Sequence, residues 1–411
     1  MKKKLLIVSY VIPFPINHGG AVAQYFFLKN LSNEFDITLL AFANDKKVVY
    51  SLNELEQRIP SLEIKVFENF NEVINYKTRI INKIIKNCYN IFKFLFMTKN
   101  KENEDNQVIY DEYFKFDNKK FIHFFNQIIT NNYYDCVQFE FFETLSLIPS
   151  IQKNTIKKIF IYHEIRSKRY SLYNDIDSIY KQFMINSMQL VENAYLNLVD
   201  KIVVFNDLDK HYLSQFNDKV VVSPYGITDE LLEKVEVSEI FNKLIFIGSE
   251  SHYPNKEGLS VFLDTIYLPN KDFISWPIYI TGNWSDSFKI KYNNYSRIIF
   301  TGLLKDFKDL YENAVLLTPI VSGSGLRTKI LQAFLNKVPV ISTKFASEGL
   351  FKNASDTNHI MFYETETDFL DLFRRIKEDS FYTKKIALSG NEYYLKNFDT
   401  ETLNVIRSSI Y

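Results

Sequence analysis

The stretch Val315–Leu350, VLLTPIVSGSGLRTKILQAFLNKVPVISTKFASEGL, decides the fold class of this chain. Its apolar start, 315–319, closes with a proline and predicts a buried parallel strand, and 338–343 predicts the next strand. From Leu326 onward, apolar residues recur at helical spacing, which predicts a helix between the two strands. A strand, a helix and a second strand in this order are typical of a doubly wound sheet of the α/β class.

The loop between this first strand and the helix has the composition of an anion-binding site. The residues at 322–325 read Ser-Gly-Ser-Gly, and two glycines let backbone N–H groups approach a ligand closely. Arg327 and Lys329 add two cations to the first helical turn, where free N–H groups and the helix dipole already favour negative charge. A diphosphate fits these groups. The alternative is an ordinary strand-to-helix turn whose two cations are solvated.

The run GSGLRTKILQAFLNKVPVIST, with the later SEGL, resembles the donor-binding segment of the family 4 retaining glycosyltransferases. The resemblance extends over nearly the whole chain and is weakest at about 70–130. It implies the GT-B fold, in which two doubly wound, Rossmann-like domains face a central cleft. Many members have two acids here with seven residues between them, and this chain has Ser324 and Gln332 instead. An amide lacks the charge assistance of a carboxylate in a hydrogen bond to ribose, which puts donor affinity, donor choice and, less strongly, catalysis in question.

Glycines or polar residues lie at the ends of four other predicted strands. In the first half of the chain, Gly19-Gly20 come after the strand 5–12, and His163 comes after the strand 156–162. In the second half, Gly248-Ser249 come after the strand 243–247, and Gly302-Leu303 lie at the end of the strand 298–302. Ligands of open α/β sheets bind beyond the carboxyl ends of the strands, so these loops are candidates for one ligand site. By spacing alone, the glycines at 19–20 are more typical of a tight turn, and the family's own Gly-Gly reverses that preference. His18 is a weaker candidate.

The resemblance implies two groups of site residues. Catalysis is assigned to His163, as a hydrogen-bond donor to a sugar hydroxyl, and to Arg327 and Lys329, which meet the leaving diphosphate. Donor binding is assigned to Gly19, Gly20, Gly248, Ser249, Gly302, Leu303, Ser324, Gly325, Leu326 and Gln332. Lys256 is the nearest cation after the 243–247 strand. No metal is expected, because protein cations take its place at the diphosphate. No cofactor is expected either, since the nucleotide diphosphate sugar is the donor substrate. A strand-end histidine that only bonds a neighbouring carbonyl is the alternative for His163.

Length and pattern predict two domains. Single hydrophobic cores stop growing at about 250–300 residues, and this chain has 411. The turn signal Pro224-Tyr225-Gly226 lies where the family crosses between domains. We therefore expect an acceptor-binding, Rossmann-like domain at 1–225 and a donor-binding one at 226–385. The resemblance further implies that a C-terminal helix, 386–411, returns to the N-terminal domain.

Composition excludes several other functions. The formal net charge is zero, so no global field recruits nucleic acid. Two cysteines, Cys88 and Cys136, provide neither a disulfide framework nor a metal cluster, and a reducing cytoplasm is the simplest compartment. The apolar run 5–11 is too short for a signal peptide. No uninterrupted apolar stretch approaches the roughly 18 residues of a membrane span.

Residues 76–99 form a basic amphipathic segment with six cations and no acid. This pattern predicts an interfacial helix on an anionic membrane, close to a lipid-linked acceptor. The alternative is a helix that packs its apolar face on its own domain while its lysines are solvated. The expected location is therefore the cytoplasm, with peripheral attachment to the inner face of the membrane.

Together, the residues and the resemblance predict a retaining, metal-independent glycosyltransferase. It would move a sugar, such as a hexose, from a nucleotide diphosphate sugar to a hydroxyl of a glycan, glycolipid or other acceptor, in bacterial surface polysaccharide or glycoconjugate synthesis. A different class, motivated by Gln332, is a non-catalytic GT-B subunit that binds glycans or escorts a partner glycosyltransferase. A GT-B-shaped epimerase is a third reading, and the large apolar segment 76–99 argues against it.

Overall fold

The computed structural model describes residues 2–16, 18–69, 119–152, 155–171, 178–227, 231–233, 236–304, 306–323, 325–351 and 356–411. The basic segment 76–99 lies outside these residues, as does Ser324. No helix among the described residues is both long and apolar enough to span a membrane.

The first half of the chain alternates strands with helices around one sheet. The strands are β1 (Lys4–Ser9), β2 (Asp36–Ala43), β3 (Glu63–Glu68), β4 (Cys136–Glu140), β5 (Lys157–Ile161), β6 (Lys201–Val204) and β7 (Val220–Val222). The helices are α1 (Gly19–Leu31), α2 (Lys46–Arg58), α3 (Lys119–Asn131), α4 (Arg166–Ser171), α5 (Ser178–Leu196) and α6 (Asp207–Ser214). The sheet is parallel, with the strand order β3-β2-β1-β4-β5-β6-β7.

The second half repeats this plan. Its strands are β8 (Lys243–Ile247), β9 (Ile278–Thr281), β10 (Ile298–Gly302), β11 (Ala314–Thr318), β12 (Val340–Ser342) and β13 (Met361–Phe362). The helices are α7 (Tyr253–Phe262), α8 (Asp286–Tyr292), α9 (Lys308–Tyr311), α10 (Thr328–Leu335), α11 (Glu366–Glu378), α12 (Ser380–Asn397) and α13 (Thr400–Ser408). The parallel sheet has the order β10-β9-β8-β11-β12-β13, so the order reverses between β8 and β11. The prediction of two doubly wound, parallel α/β halves is confirmed.

Two compact units can be distinguished by their internal contacts. The first comprises Met1–Pro15, Ser32–Ile161 and Ala194–Asp200, and the second comprises Ile16–Leu31, Tyr162–Asn193 and Lys201–Tyr411. Helix α1 and the segment that follows β5 thus belong to the same unit as the whole second sheet. Every predicted site residue that the structure describes lies in this second unit.

Continuous apolar runs form the central strands because helices cover both faces of a parallel sheet. In β1, every residue after Lys4 is buried, and all of β11 is buried. The core of the second sheet is rich in aromatic rings that pack edge to face, such as Phe262 and Phe369, whose centroids are 4.9 Å apart. Such pairs add to the stabilisation that burial alone provides.

The C-terminal helix differs from the sequence-based expectation. The single helix predicted at 386–411 is instead divided into α12 and α13. Asp399 caps the second of them by accepting a hydrogen bond from the Thr402 N–H at 2.9 Å.

Close packing between α10 and α12 generates a test of the fold. A methyl group at Gly390 would lie 2.6 Å from Cδ1 of the buried Phe334. Alanine normally favours a helix over glycine by about 1 kcal/mol, so a loss of stability would report the close approach. We expect Gly390→Ala to lower the free energy of unfolding by about 1–3 kcal/mol in urea titrations.

The control is Lys396→Ala on the same helix, where the side chain is exposed and a change within about 0.5 kcal/mol is expected. A Gly390→Ala protein that is more stable than the wild type would show that α10 and α12 do not pack as described.

Candidate functional site

The loop before α10 is held close to two neighbouring segments by its glycines. Gly325 has φ +83°, and a Cβ there would lie 2.7 Å from the carbonyl oxygen of His163. Gly323 has φ +96°, and a Cβ there would lie 2.9 Å from Cγ of Pro254. Both positions require a left-handed backbone and leave no room for a side chain. The predicted anion loop therefore lies against the end of β5 and the start of α7.

The N-terminus of α10 also meets the N-terminus of α1. A Cβ on Gly19 would lie 2.8 Å from Oγ1 of Thr328, the first residue of α10. Thr328 Oγ1 also forms a 2.6 Å hydrogen bond with the buried Tyr225 hydroxyl. The predicted Gly19-Gly20 pair thus starts a helix beside the first turn of α10. Two helix starts in one place combine their free N–H groups into a site for anions.

Lys329 places its ammonium group in a setting without a negative charge. Its Nζ donates to Asn255 Oδ1 at 2.8 Å and lies 4.7 Å from the centroid of the Phe246 ring. Burial and, to a smaller degree, the charge of Arg327 lower the pKa of Lys329 to about 7. Among the described residues, no carboxylate forms a hydrogen bond or ion pair with this lysine. An anionic ligand would supply the missing charge.

Arg327 lies directly before the first turn of α10. Its Nη2 donates to the Ser322 carbonyl at 3.3 Å, and its guanidinium carbon lies 5.8 Å from the Phe345 ring centroid. Burial lowers the pKa of Arg327, while the negative charge of Glu164 raises it in part. Arginine is charged at any physiological pH, so Arg327 adds a fixed positive charge beside Lys329.

Glu164 follows His163 at the end of β5, and sequence reasoning did not assign it to the site. Its Oε2 forms ion pairs with Arg169 Nη1 at 3.1 Å and with Arg166 Nη1 at 3.5 Å. Burial raises the pKa of Glu164, but Arg169, Arg166 and more distant cations such as Arg327 outweigh it and leave the pKa lowered. Glu164 is therefore a carboxylate that orders these cations. The signal in the sequence was an acid directly after a strand-end histidine.

Two histidines lie near each other in this region. His18 Nδ1 accepts a hydrogen bond from the Ala21 N–H at 3.2 Å. The pKa of His18 is lowered by burial and, to a smaller degree, by the nearby His163. The His163 ring packs edge to face on Phe205 at 5.1 Å. His18, the weaker candidate from the sequence, is thus placed beside the predicted His163.

The loop after β8 is connected to Lys329 through Asn255. Gly248 has φ +157°, and a Cβ there would lie 2.5 Å from Asn255 Nδ2. The same amide donates to the Ser249 carbonyl at 3.2 Å, while its oxygen accepts from Lys329. Asn255 therefore fixes both the Gly248-Ser249 turn and the lysine ammonium. Its role was not apparent in the sequence, where it lies 74 positions from its partner.

An open cavity of about 620 Å³ follows β8 and β9, and it is lined by Glu250, Ser251, Lys256, Asn283, Trp284 and Ser285. Lys256, which the sequence offered as the nearest cation after β8, forms an ion pair with Glu250 at 2.8 Å. Hydrogen bonds from Lys256 and Ser285 lower the pKa of Glu250 to about 2. The charge of Lys256 is thus already balanced, in contrast to that of Lys329.

The other predicted positions are also accounted for. Gly302 ends β10 with φ +74°, and Leu303 after it is 58% exposed. Leu326 is half-buried, and so is Gln332, whose side chain has no hydrogen bond with any described residue. Within the described part of the chain, no cluster of His, Cys, Asp or Glu side chains has the arrangement of a metal site.

A buried network supports the segment that follows β5. Glu192 of α5 accepts hydrogen bonds from the Tyr162 hydroxyl, from the Ser167 N–H at 3.1 Å and from the Ser167 hydroxyl at 2.5 Å. Burial raises the pKa of Glu192, and these hydrogen bonds counter it in part. Tyr162 and Ser167 lie on either side of His163 and Glu164, so the network fixes their backbone.

Comparison with known proteins shows a family resemblance of one segment and a shared fold of the whole chain. Residues 242–379 match the family model described as Glycosyl transferases group 1. The chain is 21% identical to an uncharacterized 44.6 kDa protein in the cps region of Klebsiella pneumoniae, over 97% of each chain. Sucrose-phosphate synthase from Thermosynechococcus elongatus is a structural match with TM-score 0.70 at 13% identity, covering 100% of this chain and 98% of that one. HepE from Anabaena, in complex with UDP-glucose, matches with TM-score 0.61 at 12% identity, covering 99% and 98%.

These matches confirm the GT-B fold and the predicted resemblance. The matched segment, residues 242–379, contains α10, Arg327 and Lys329. This segment is therefore similar to the glycosyl transferases group 1 family.

The setting of Lys329 generates a test by stability. The pKa of Lys329 in the folded protein, about 7, is below the ordinary lysine value of 10.5, so the folded state resists protonation. The resulting destabilisation is complete below pH 7 and disappears as the pH rises toward 10.5. We expect Lys329→Met to raise the free energy of unfolding by about 1 kcal/mol or more at pH 7, with the gain shrinking toward pH 10.

The control is Lys291→Met on α8, where the lysine is exposed and paired with Asp264, and where no gain at pH 7 is expected. A Lys329→Met protein that is less stable than the wild type at pH 7 would show that the lysine has a counter-charge in the free protein.

Proposed function

We propose that this protein is a retaining glycosyltransferase that moves a sugar from a nucleotide diphosphate sugar to an acceptor hydroxyl. The observation that carries the proposal is Lys329, a half-buried lysine with no acidic partner among the described residues, next to Arg327 at the start of α10. A diphosphate supplies the negative charge that this arrangement lacks. The structural match to HepE with bound UDP-glucose supports a uridine diphosphate donor.

The proposed chemistry is stabilisation of the leaving group. When the bond between the sugar C1 and the diphosphate oxygen breaks, negative charge develops on that oxygen. Lys329, Arg327 and the first N–H groups of α10 are placed to stabilise it, and a buried setting strengthens their effect. The acceptor hydroxyl oxygen forms the new bond to C1, and its proton leaves with the diphosphate. Retained configuration is what the resemblance to the family 4 retaining glycosyltransferases implies.

The other site residues divide into supporting roles. We assign His163 to a hydroxyl of the donor sugar, with Glu164 holding Arg166 and Arg169 at their positions. Donor binding is assigned to Gly19, Gly20, Gly248, Ser249, Gly302, Leu303, Ser324, Gly325, Leu326 and Gln332. The open cavity lined by Asn283 and Ser285 offers polar groups for the nucleoside. No metal is needed in this scheme, because protein cations stabilise the diphosphate.

We assign acceptor binding to an N-terminal domain, residues 1–225, and donor binding to a second domain, residues 226–385. The C-terminal segment 386–411 is assigned to the N-terminal domain, to which it returns. The relative in the cps region of Klebsiella pneumoniae supports a role in bacterial surface polysaccharide synthesis, with a glycan or a lipid-linked acceptor. Attachment of the protein through residues 76–99 to an anionic membrane, on its cytoplasmic side, remains a prediction.

A non-catalytic GT-B subunit is the second candidate, and the observation that favours it is Gln332. Its side chain is half-buried and has no hydrogen-bond partner among the described residues, where many relatives use a charged acid. Such a subunit would bind a nucleotide or glycan without turnover. Turnover measurements separate the two candidates.

The first test is release of nucleotide diphosphate from a panel of nucleotide sugars, with soluble and lipid-linked acceptors. We expect turnover with at least one donor, and Lys329→Ala should lower it about 100-fold at saturating donor, as loss of one preorganised donor to a developing oxyanion typically does. Lys291→Ala, which removes a paired surface lysine of α8, is the matched control and should leave the rate unchanged.

A protein that binds UDP tightly yet releases no diphosphate from any donor would support the non-catalytic subunit. Equal rates for Lys329→Ala and Lys291→Ala would remove Lys329 from the mechanism.

The second test concerns the ribose. Gln332→Glu restores the acid that many relatives have, and a charged hydrogen bond is stronger than a neutral one by about 1 kcal/mol. We expect UDP-sugar to bind about fivefold more tightly, as measured by calorimetry at pH 7.5. Gln332→Ala should weaken binding, because it removes the amide. If neither variant changes affinity, Gln332 does not contact the donor.

A further inference from the structure

The outward face of α12 has a seam of exposed apolar residues. Phe381, Leu388 and Leu395 are 77%, 38% and 59% exposed. They are seven residues apart, so they lie in one line along the helix, about two turns from each other. The opposite face of the helix is buried. Scattered exposed apolar residues are common on proteins, and this regular spacing distinguishes the three.

Two charged residues share the seam. Lys385 and Glu392 are exposed and follow Phe381 and Leu388, respectively, by four positions. At this spacing they lie on the same helical face as the apolar residues. They have opposite charges and are themselves seven residues apart. Neither side chain forms an ion pair with another residue in the described part of the chain. We refer to Phe381, Lys385, Leu388, Glu392 and Leu395 as the α12 seam.

We propose that the α12 seam is a self-association surface, on which a second copy of this chain packs its own α12 in antiparallel orientation. A two-fold axis at Leu388 places this residue against Leu388 of the second copy. The same axis places Phe381 against Leu395 of the second copy. Lys385 then lies beside Glu392 of the second copy, and symmetry repeats this pair. The pattern of the seam is thus complementary to itself.

The charges select this arrangement over the alternatives. In a parallel pair, equivalent residues lie level with each other, so Lys385 would be level with Lys385 and Glu392 with Glu392 of the second copy, and neither charge would lie beside an opposite one. A membrane surface is also a poor occupant. Helices that lie on anionic membranes present Lys and Arg beside the apolar residues, whereas the seam places the acid Glu392 between Leu388 and Leu395, where an anionic surface would repel it. A second copy satisfies both the apolar and the charged residues.

The size of the seam indicates a dimer that dissociates on dilution. From Phe381 to Leu395 the helix extends over about 21 Å at a rise of 1.5 Å per residue. The seam has one apolar residue for every two turns, where a coiled coil has two. It therefore buries less than the roughly 1,200 Å² of a typical stable interface. We expect monomer and dimer to exchange in a concentration-dependent way.

The first experiment is sedimentation velocity on the full chain over a wide range of concentrations. The wild type should shift from monomer toward dimer as its concentration rises, and Leu388→Glu should stay monomeric at the highest concentration. The matched control is Ile290→Glu, which adds the same charge at a 64% exposed apolar residue of α8. It should dimerise like the wild type. Thermal unfolding of each variant verifies that it is folded.

Charge reversal tests the antiparallel register. Lys385→Glu places two acids side by side, and Glu392→Lys places two lysines side by side, twice in each dimer. Each single variant should weaken the dimer at least about fivefold. The double variant Lys385→Glu/Glu392→Lys exchanges the two signs and should restore wild-type affinity. If these residues did not pair across the dimer, the double variant would not recover the dimer affinity that the single variants lose.

Cross-linking tests the two-fold axis itself, in a Cys88→Ser background that leaves only the buried Cys136 thiol. Leu388→Cys should form a disulfide with itself on mild oxidation, because residues on the axis come within reach of about 7 Å between Cα atoms. Phe381→Cys and Leu395→Cys should each stay uncross-linked alone and should cross-link when mixed. A wild type that is monomeric at every concentration, or a dimer that Leu388→Glu leaves intact, would overturn the proposal.

Discussion

The ammonium group of Lys329, enclosed beside Arg327 at the start of α10, is the interaction on which this site depends. Burying a positive charge without an acid is costly, and the protein meets the cost only in part, with the Asn255 amide and the face of the Phe246 ring. A protein selected only for stability would have an apolar side chain here. The unbalanced charge is therefore best understood as a feature retained for an anionic ligand.

The surrounding fold serves to bring several chain segments to this charge. Gly325 allows the loop to lie against the backbone of His163, Gly19 brings the start of α1 to Thr328, and Gly248 makes room for Asn255. Each close approach would be blocked by a Cβ atom. As a result, α1 and the segment after β5, which precede the second sheet in sequence, belong to the same compact unit as that sheet.

The sequence predicted the fold well because its signals are local. Continuous apolar runs define the strands, and the loops at 19–20, 248–249 and 322–325 stand out by their glycines. The single C-terminal helix predicted at 386–411 is two helices, α12 and α13, and the Asp399 cap at the start of the second is the local signal of the division. Both parallel sheets follow from such runs, since their order of strands and helices repeats in each half of the chain.

The partners within the site were not predictable in the same way. Asn255 and Lys329 are 74 residues apart, and Glu192 lies 25 residues from Ser167. No periodic pattern connects such pairs, and an asparagine in a first helical turn is ordinary in itself. Lys256 was offered by the sequence as a further cation of the site, whereas the structure pairs it with Glu250. The three-dimensional contacts are therefore needed to distinguish Lys256 from Lys329, which has no acidic partner among the described residues.

The central claim is that Lys329 is largely neutral in the free protein near pH 8 and becomes charged when a diphosphate binds. Calorimetric titration of UDP at pH 8, in buffers of different ionisation enthalpy, measures the protons taken up. Because the pKa of Lys329 is about 7 in the free protein, the account predicts uptake of close to one proton by the wild type and much less by Lys329→Met. Binding heats that do not depend on the buffer, or an uptake that Lys329→Met retains, would contradict it.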